Sequence, residues 1–235
     1  MPLRVLLNEA GLRHSAKWVV AEGADSGNHA RSIPLSKILD DAIVALYQNG
    51  ERLRPAQGYP IRLFLPGWKG NTSVKWLHRL EVVDAPIFTK DESGMYAEPL
   101  REGGIEYFSF QMDVKSVITQ PSAGQTLLDK GFCEISGLAW SGFGKVSKVE
   151  VSVDGGWRWT EAKLQRPVQA KSLTRFSLPW EWTGKETSLL SRATDEFGRT
   201  QPTRSEWKKR YADFSIGHYT LTMYVEQCPR INQRV

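Results

Sequence analysis

Along the first third of the chain the apolar positions mix helical and strand periods, whereas from about Gln111 to Arg199 they recur in short alternating runs. Leu3 to Leu12 fits a short amphipathic helix ended by Gly11. Ser32-Ile-Pro-Leu opens another, with Ser32 as its cap and Pro34 in the first turn, where a missing N–H does little harm. Strands are expected at Lys17 to Ala21, Ala42 to Gln48, Ile61 to Leu65 and Val74 to Val83, with Asn49-Gly50 as a turn between apolar segments.

From Asp84 to Gly104 the apolar density falls and Pro, Gly, Asp and Glu gather without a period, as in a long surface crossing. Beyond it, Phe132 to Trp140, Lys145 to Val153, Trp159 to Leu164, Thr174 to Trp182 and Thr187 to Thr194 read as strands punctuated by Gly, Asp and Pro. That spacing suits an antiparallel immunoglobulin-like sandwich. The fold expected is α+β, with a first domain over residues 1–108, which includes the crossing segment 84–104, and an all-β domain over residues 109–235.

Composition narrows the function classes. With 235 residues, 40% of them hydrophobic, the chain can bury one or two cores. No apolar run approaches the roughly 18 residues a bilayer requires, and the first ten residues do not read as a secretory signal, so the sequence as written is expected to stay in the cytoplasm. Cys133 and Cys228 are its two cysteines, and neither has the spacing of a zinc knuckle or a disulfide framework. The net charge of +5 is dispersed among acids, which argues against nucleic acid and leaves docking to an acidic redox protein open.

The most informative stretch is Gln57-Gly-Tyr-Pro-Ile-Arg-Leu-Phe-Leu-Pro-Gly-Trp-Lys-Gly-Asn-Thr-Ser-Val-Lys-Trp-Leu. Two strands flank a Gly-containing loop with Arg62 and Lys75 near its ends. Oriented backbone N–H groups with cations nearby form an anion cradle; Arg offers a fork and Lys a point charge. The plainer alternative is a hairpin turn between two solvated cations.

This succession resembles the molybdopterin-binding segment of the sulfite oxidase family. The resemblance implies that Arg62, Ser73, Val74 and Lys75 anchor the pterin phosphate. Trp18-Val-Val-Ala-Glu-Gly-Ala-Asp is also similar to a family stretch, which implies that Asp25 accepts hydrogen bonds from the pterin ring. A lone Asp beside Gly is otherwise a turn former. Gln57 stands where animal-type members carry His, which favours the bacterial sulfur dehydrogenase branch, and it is counted among the cofactor-binding positions. Tyr96 falls where the family places a tyrosine beside its substrate, against the alternative of a linker aromatic packed on the domain face.

Lys115-Ser-Val-Ile-Thr-Gln-Pro, Ile135-Ser-Gly-Leu-Ala-Trp and Val149-Glu-Val-Ser-Val-Asp-Gly-Gly are similar to the dimerisation domain that follows in this family. The resemblance, covering roughly Pro2 to Arg204, implies a molybdenum cofactor and oxidation of sulfite or a protein-bound sulfur group. It also implies a c-type cytochrome as electron acceptor, a homodimer, and a periplasmic setting for the intact enzyme. Relatives bind the metal through a cysteine upstream of the segments matched here. Neither Cys133 nor Cys228 takes that place, and no catalytic or metal-binding residue is assigned.

An amino-terminally truncated enzyme, silent on its own, is therefore expected. The alternative is a non-catalytic fragment that dimerises and binds cofactor, and a third reading is an unrelated immunoglobulin-like binding module. Ser152-x-Asp-x-Gly-x-x-Trp159 also fits the Asp-box hairpin of sialidases, a turn device present once.

Overall fold

The computed structural model describes residues 1–211 except 123, 124, 126 and 128. Cys228 and the rest of the carboxyl end from 212 lie outside the described residues. The chain divides after Gln111 into two compact units.

In the first unit, helix α1 (Leu3–Ala10) buries Leu3 and Leu7, one turn apart on the same face. Gly11, at φ 76°, follows it as expected. Strand β1 (Trp18–Gly23) pairs antiparallel with β2 (Ala30–Pro34), and helix α2 (Leu35–Asp40) follows directly. Ser32 is therefore not a helix cap. It sits opposite Val20 in the ladder, fully buried, and its Oγ accepts the Ile87 N–H at 3.2 Å. The ladder satisfies more backbone groups than a cap would, and Pro34 takes the position before the helix.

The stretch expected as one strand from Ala42 is broken into β3 (Ile43–Ala45) and β4 (Tyr47–Gln48). Asn49 and Gly50 turn β4 into β5 (Glu51–Arg52) with positive φ at both, as their sequence predicts. Strand β6 (Arg62–Phe64) pairs with β3, and β7 (Leu77–Val83) completes the sheet order β2-β1-β7. Strand β7 begins three residues later than expected, because Trp76 adopts a left-handed φ of 48° and keeps 74–76 in the loop. Leu3, Val19, Ile33, Ile38, Leu63 and Leu65 form a core exposed by no more than 1%.

The segment expected as a surface crossing returns to this unit. A π-helical turn at Asp91–Met95 buries Asp91 and Glu92, and a short hairpin of β8 (Glu98–Pro99) with β9 (Ile105–Glu106) follows. Its buried anchors are charged, so low apolar density hid them.

The second unit is a sandwich. One sheet has the order β10-β11-β15-β14 and the other β13-β12-β16. These strands are β10 (Lys115–Gln120), β11 (Gly131–Trp140), β12 (Val146–Ser152), β13 (Thr160–Glu161), β14 (Lys163–Leu164), β15 (Thr174–Trp182) and β16 (Leu190–Asp195). Ile118, Ile135, Ala139 and Phe176 from one sheet meet Val149, Val151 and Ala193 from the other, the layered packing of an immunoglobulin-like domain. The run expected as a single strand from Trp159 changes sheets at buried Ala162.

Helix α3 (Arg204–Arg210) closes the described chain, capped by Thr203 and Glu206. The Asp-box sequence makes the hairpin after β12: Asp154 Oδ1 accepts the Arg158 N–H at 2.9 Å, and Trp159 Nε1 donates to Gly156 O at 3.0 Å. Among the described residues no helix is long and apolar enough to cross a membrane.

Candidate functional site

The site is built where β1, β6 and the 65–77 loop approach one another in the first unit. Arg62, at the start of β6, reaches across the loop base. Its Nη1 donates to the Gln57 carbonyl at 3.2 Å and its Nη2 to the Ser73 carbonyl at 2.9 Å. The guanidinium thus ties the two ends of the motif together. Its Nε is buried without a partner among the described residues, and burial pulls its pKa below the usual arginine value.

Two glycines set how closely the backbone can pass Lys75. Gly58 has φ +103°, and a Cβ there would lie 2.8 Å from Lys75 Cβ and 2.9 Å from its Cα. At Gly23 a Cβ would lie 2.6 Å from the Lys75 carbonyl oxygen. Any larger residue at either place would push the loop outward.

Within the loop, the Ser73 N–H donates to Gly70 O at 3.1 Å, and its Oγ accepts the Leu65 N–H at 3.1 Å. Among the described residues the backbone N–H groups of Val74, Lys75 and Trp76 donate to no backbone acceptor. Three successive amides without a backbone acceptor, with the exposed Lys75 ammonium beside them, make a candidate anion nest.

A cavity of about 580 Å³ opens next to the nest, within the roughly 300–1,000 Å³ that small-molecule and cofactor sites occupy. Asp25, Ser73, Lys75 and Tyr96, four of the positions singled out in the sequence, share its lining. Asp25 is held by the turn after β1, where its Oδ1 accepts the His29 N–H at 2.8 Å.

Tyr96 lies across the cavity, its ring 4.6 Å from Arg31 Cζ and edge-on to His29. Burial, seconded by the Asp91 carboxylate, raises its phenol pKa above the ordinary value. Gln57, Arg62 and Val74 do not line the cavity. Gln57 Oε1 accepts the Arg54 N–H, Arg62 braces the loop, and the Val74 side chain is buried in the core.

The sequence reading missed a second set of residues: His29, Arg31, Asn71, Lys90, Asp91 and Glu92. Arg31 and Glu92, both fully buried, form a two-pronged ion pair of 2.7 and 3.2 Å. His29 Nδ1 lies 3.2 Å from Asp91 Oδ2, and its Nε2 lies 2.8 Å from Asn71 O. The one sequence signal was His29-Ala-Arg31, two nitrogen-bearing side chains two positions apart just ahead of Ile33-Pro-Leu.

Cys133 is a free thiol on β11 in the second unit, opposite Trp180. Among the described residues no cluster of three or more His, Cys, Asp or Glu is grouped to hold a metal ion.

A cofactor-binding α+β unit with an anion nest, followed by an immunoglobulin-like sandwich, defines the class. Comparison with known proteins agrees: residues 1–90 match the oxidoreductase molybdopterin binding domain, and residues 106–211 match the Mo-co oxidoreductase dimerisation domain. The structure superposes on the sulfane dehydrogenase SoxCD of Paracoccus pantotrophus with a TM-score of 0.90 and 43% identity, over 94% of this chain and 57% of that one. Mitochondrial sulfite oxidase of Homo sapiens is 32% identical over 84% of this chain and 40% of its own length. An NADH nitrate reductase of Solanum lycopersicum is 30% identical over 88% of this chain and 27% of its own. The chain thus belongs to the sulfite oxidase family of molybdopterin oxidoreductases, and it spans about a quarter to just over half the length of these relatives.

The residues present fit that cofactor. The nest and Lys75 suit a phosphate, and Asp25 offers a carboxylate to an amino-pyrimidine edge.

Proposed function

We propose that this chain supplies the pterin-holding and pairing parts of an enzyme that oxidises sulfite or a protein-bound sulfur group. The observation that carries the reading is the convergence of Asp25, Ser73 and Lys75 on one cavity beside three amides that donate to no backbone acceptor among the described residues. Lys75 and the amides of 74–76 would hold the phosphate, Asp25 the pyrimidine edge, and Tyr96 the opposite wall. Arg62 would act from behind, fixing the carbonyls of Gln57 and Ser73 so that the neighbouring N–H groups point outward. When bound, the molybdenum cofactor supplies oxygen transfer to sulfur and accepts the two electrons. The protein's part is position and charge.

The 43% identity to a sulfane dehydrogenase favours a sulfur substrate over nitrate, with a c-type cytochrome as electron acceptor. The sandwich would pair symmetrically with a second copy, and a periplasmic setting is proposed for the intact enzyme. The test is pterin and molybdenum analysis of the chain purified from a molybdopterin-competent host, beside Lys75→Ala. Because Lys75 is exposed, the variant should melt like the wild type yet retain about tenfold less pterin, as for loss of a charge-assisted contact. Equal pterin in both, or none in the wild type, would overturn the assignment of the nest.

A further inference from the structure

The nest has to hold its shape although its own amides donate to no backbone acceptor among the described residues, so neighbouring groups must fix the loop. Asn71, in the 3-10 turn Gly70–Thr72 that leads into the nest, is held at two points. Its carbonyl oxygen is 2.8 Å from His29 Nε2, and its Oδ1 accepts from Arg31 Nη1. His29 stands just before β2 and Arg31 is the second residue of that strand, and both side chains reach Asn71.

Neither group is free to swing. Arg31 is 0% exposed, its other nitrogens are taken by Glu92, and its guanidinium lies over the Tyr96 ring. His29 is backed by Asp91, whose second role is to accept the Ala30 N–H at 3.0 Å. Glu92 Oε1 also accepts the Ser32 N–H at 3.1 Å, so the ion pair is bolted to the sheet itself.

We infer that His29 and Arg31, anchored by Asp91 and Glu92, are positioning residues that preset the phosphate nest by gripping Asn71. The inference rests on the proposal that residues 73–76 receive the pterin phosphate. It adds that the π-helical turn at Asp91–Met95 controls the shape of that site without touching the phosphate. A buried ion pair is a weak source of net stability, because desolvation offsets most of the attraction. Its directional contacts with Asn71 and Ser32 give it a use that an apolar pair of similar volume lacks.

The experiment uses the full chain and three variants: Arg31→Met alone, Arg31→Met with Glu92→Leu, and Asn71→Ala. Arg31→Met alone leaves a buried carboxylate unpaired and should lower Tm strongly. The double variant removes both charges and should recover most of that loss. Asn71→Ala keeps the ion pair, so it serves where the double variant does not fold. The deciding readout is amide hydrogen exchange of the peptide spanning 70–76, measured without cofactor and compared with peptides from β1 and β7. Expected is a rise of about tenfold or more in exchange at Thr72 and Ser73, the loop amides that are hydrogen-bonded to Lys69 O and Gly70 O, for both the double variant and Asn71→Ala, the loss of a hydrogen bond to a charged group, with the β1 and β7 peptides unchanged.

Retained pterin in the same preparations should fall in parallel. Wild-type exchange of the loop in either folded variant would overturn the inference, leaving the ion pair a purely structural feature. If the wild-type chain holds no pterin while loop exchange responds as expected, the phosphate assignment fails and the bracing of the loop stands.

Discussion

Replacing Gly58 by Ala should damage this unit well beyond the ordinary effect of an alanine at a turn, and Gly50→Ala provides the reference. Both glycines have positive φ, +103° at Gly58 and +82° at Gly50. Each substitution therefore carries a backbone strain of about 1–3 kcal/mol, less a few tenths regained from a stiffer unfolded chain. At Gly50 nothing lies within 4 Å of the new Cβ, so strain is the whole cost.

At Gly58 the Cβ would sit 2.8 Å from Lys75 Cβ, where carbon atoms pack at about 3.5–4.0 Å. The loop must retreat by most of an ångström, at a further cost of about 1–3 kcal/mol. At about 4 °C per kcal/mol for a unit of this size, Gly50→Ala should lower Tm by about 4–8 °C and Gly58→Ala by about twice that. Scanning calorimetry of the two variants reads the difference, and pterin retention should drop only for Gly58→Ala. Equal Tm losses, or unchanged pterin with a displaced Lys75, would refute the close-approach argument.

Three further outcomes follow from the same geometry. Val74→Ala should destabilise the first unit by about 1–3 kcal/mol, because its side chain is 1% exposed. Phosphate-type contacts through its N–H should survive, so urea unfolding shifts while pterin content at low denaturant does not. The Tyr96 phenol, whose folded pKa is raised above 10.0, contributes stability that is full below that value and is lost as the pH rises through the folded pKa. Ultraviolet titration of wild type minus Tyr96→Phe should show a phenol ionising above pH 10, and one ionising at or below it would contradict the burial assigned here. In the sandwich, the Arg192 side-chain hydrogen bond lowers the Glu150 pKa from 4.5. The advantage of wild type over Arg192→Met should therefore hold above that pH and fade as acid protonates Glu150, and a pH-independent difference between the two would show the pair to be inert.

The division of labour along the chain is written in local pattern. Apolar alternation and punctuation after Gln111 defined a sandwich, since a strand's period of two is visible without knowing its partners. The Gln57 to Leu77 motif marked a candidate anion loop in an α+β unit, because glycines, cations and flanking strands are local requirements and the family resemblance is carried by the same residues. Ser73 and Lys75 were legible as candidates for that reason, Asp25 and Tyr96 through the family resemblance alone.

Which contacts each candidate makes depends on long-range folding. Arg62 reads as a phosphate ligand in sequence, and in the fold its fork meets two carbonyls that come together only when the motif closes. Ser32 reads as a helix cap until β1 offers it a ladder. Asp91 and Glu92 read as solvated acids in a linker, because their partners, His29 and Arg31, stand some sixty positions away in sequence. Charged residues have no periodicity that distinguishes a buried pair from a wet surface. Long-range pairing gives Glu92 its role, and that information exists only once the chain is folded.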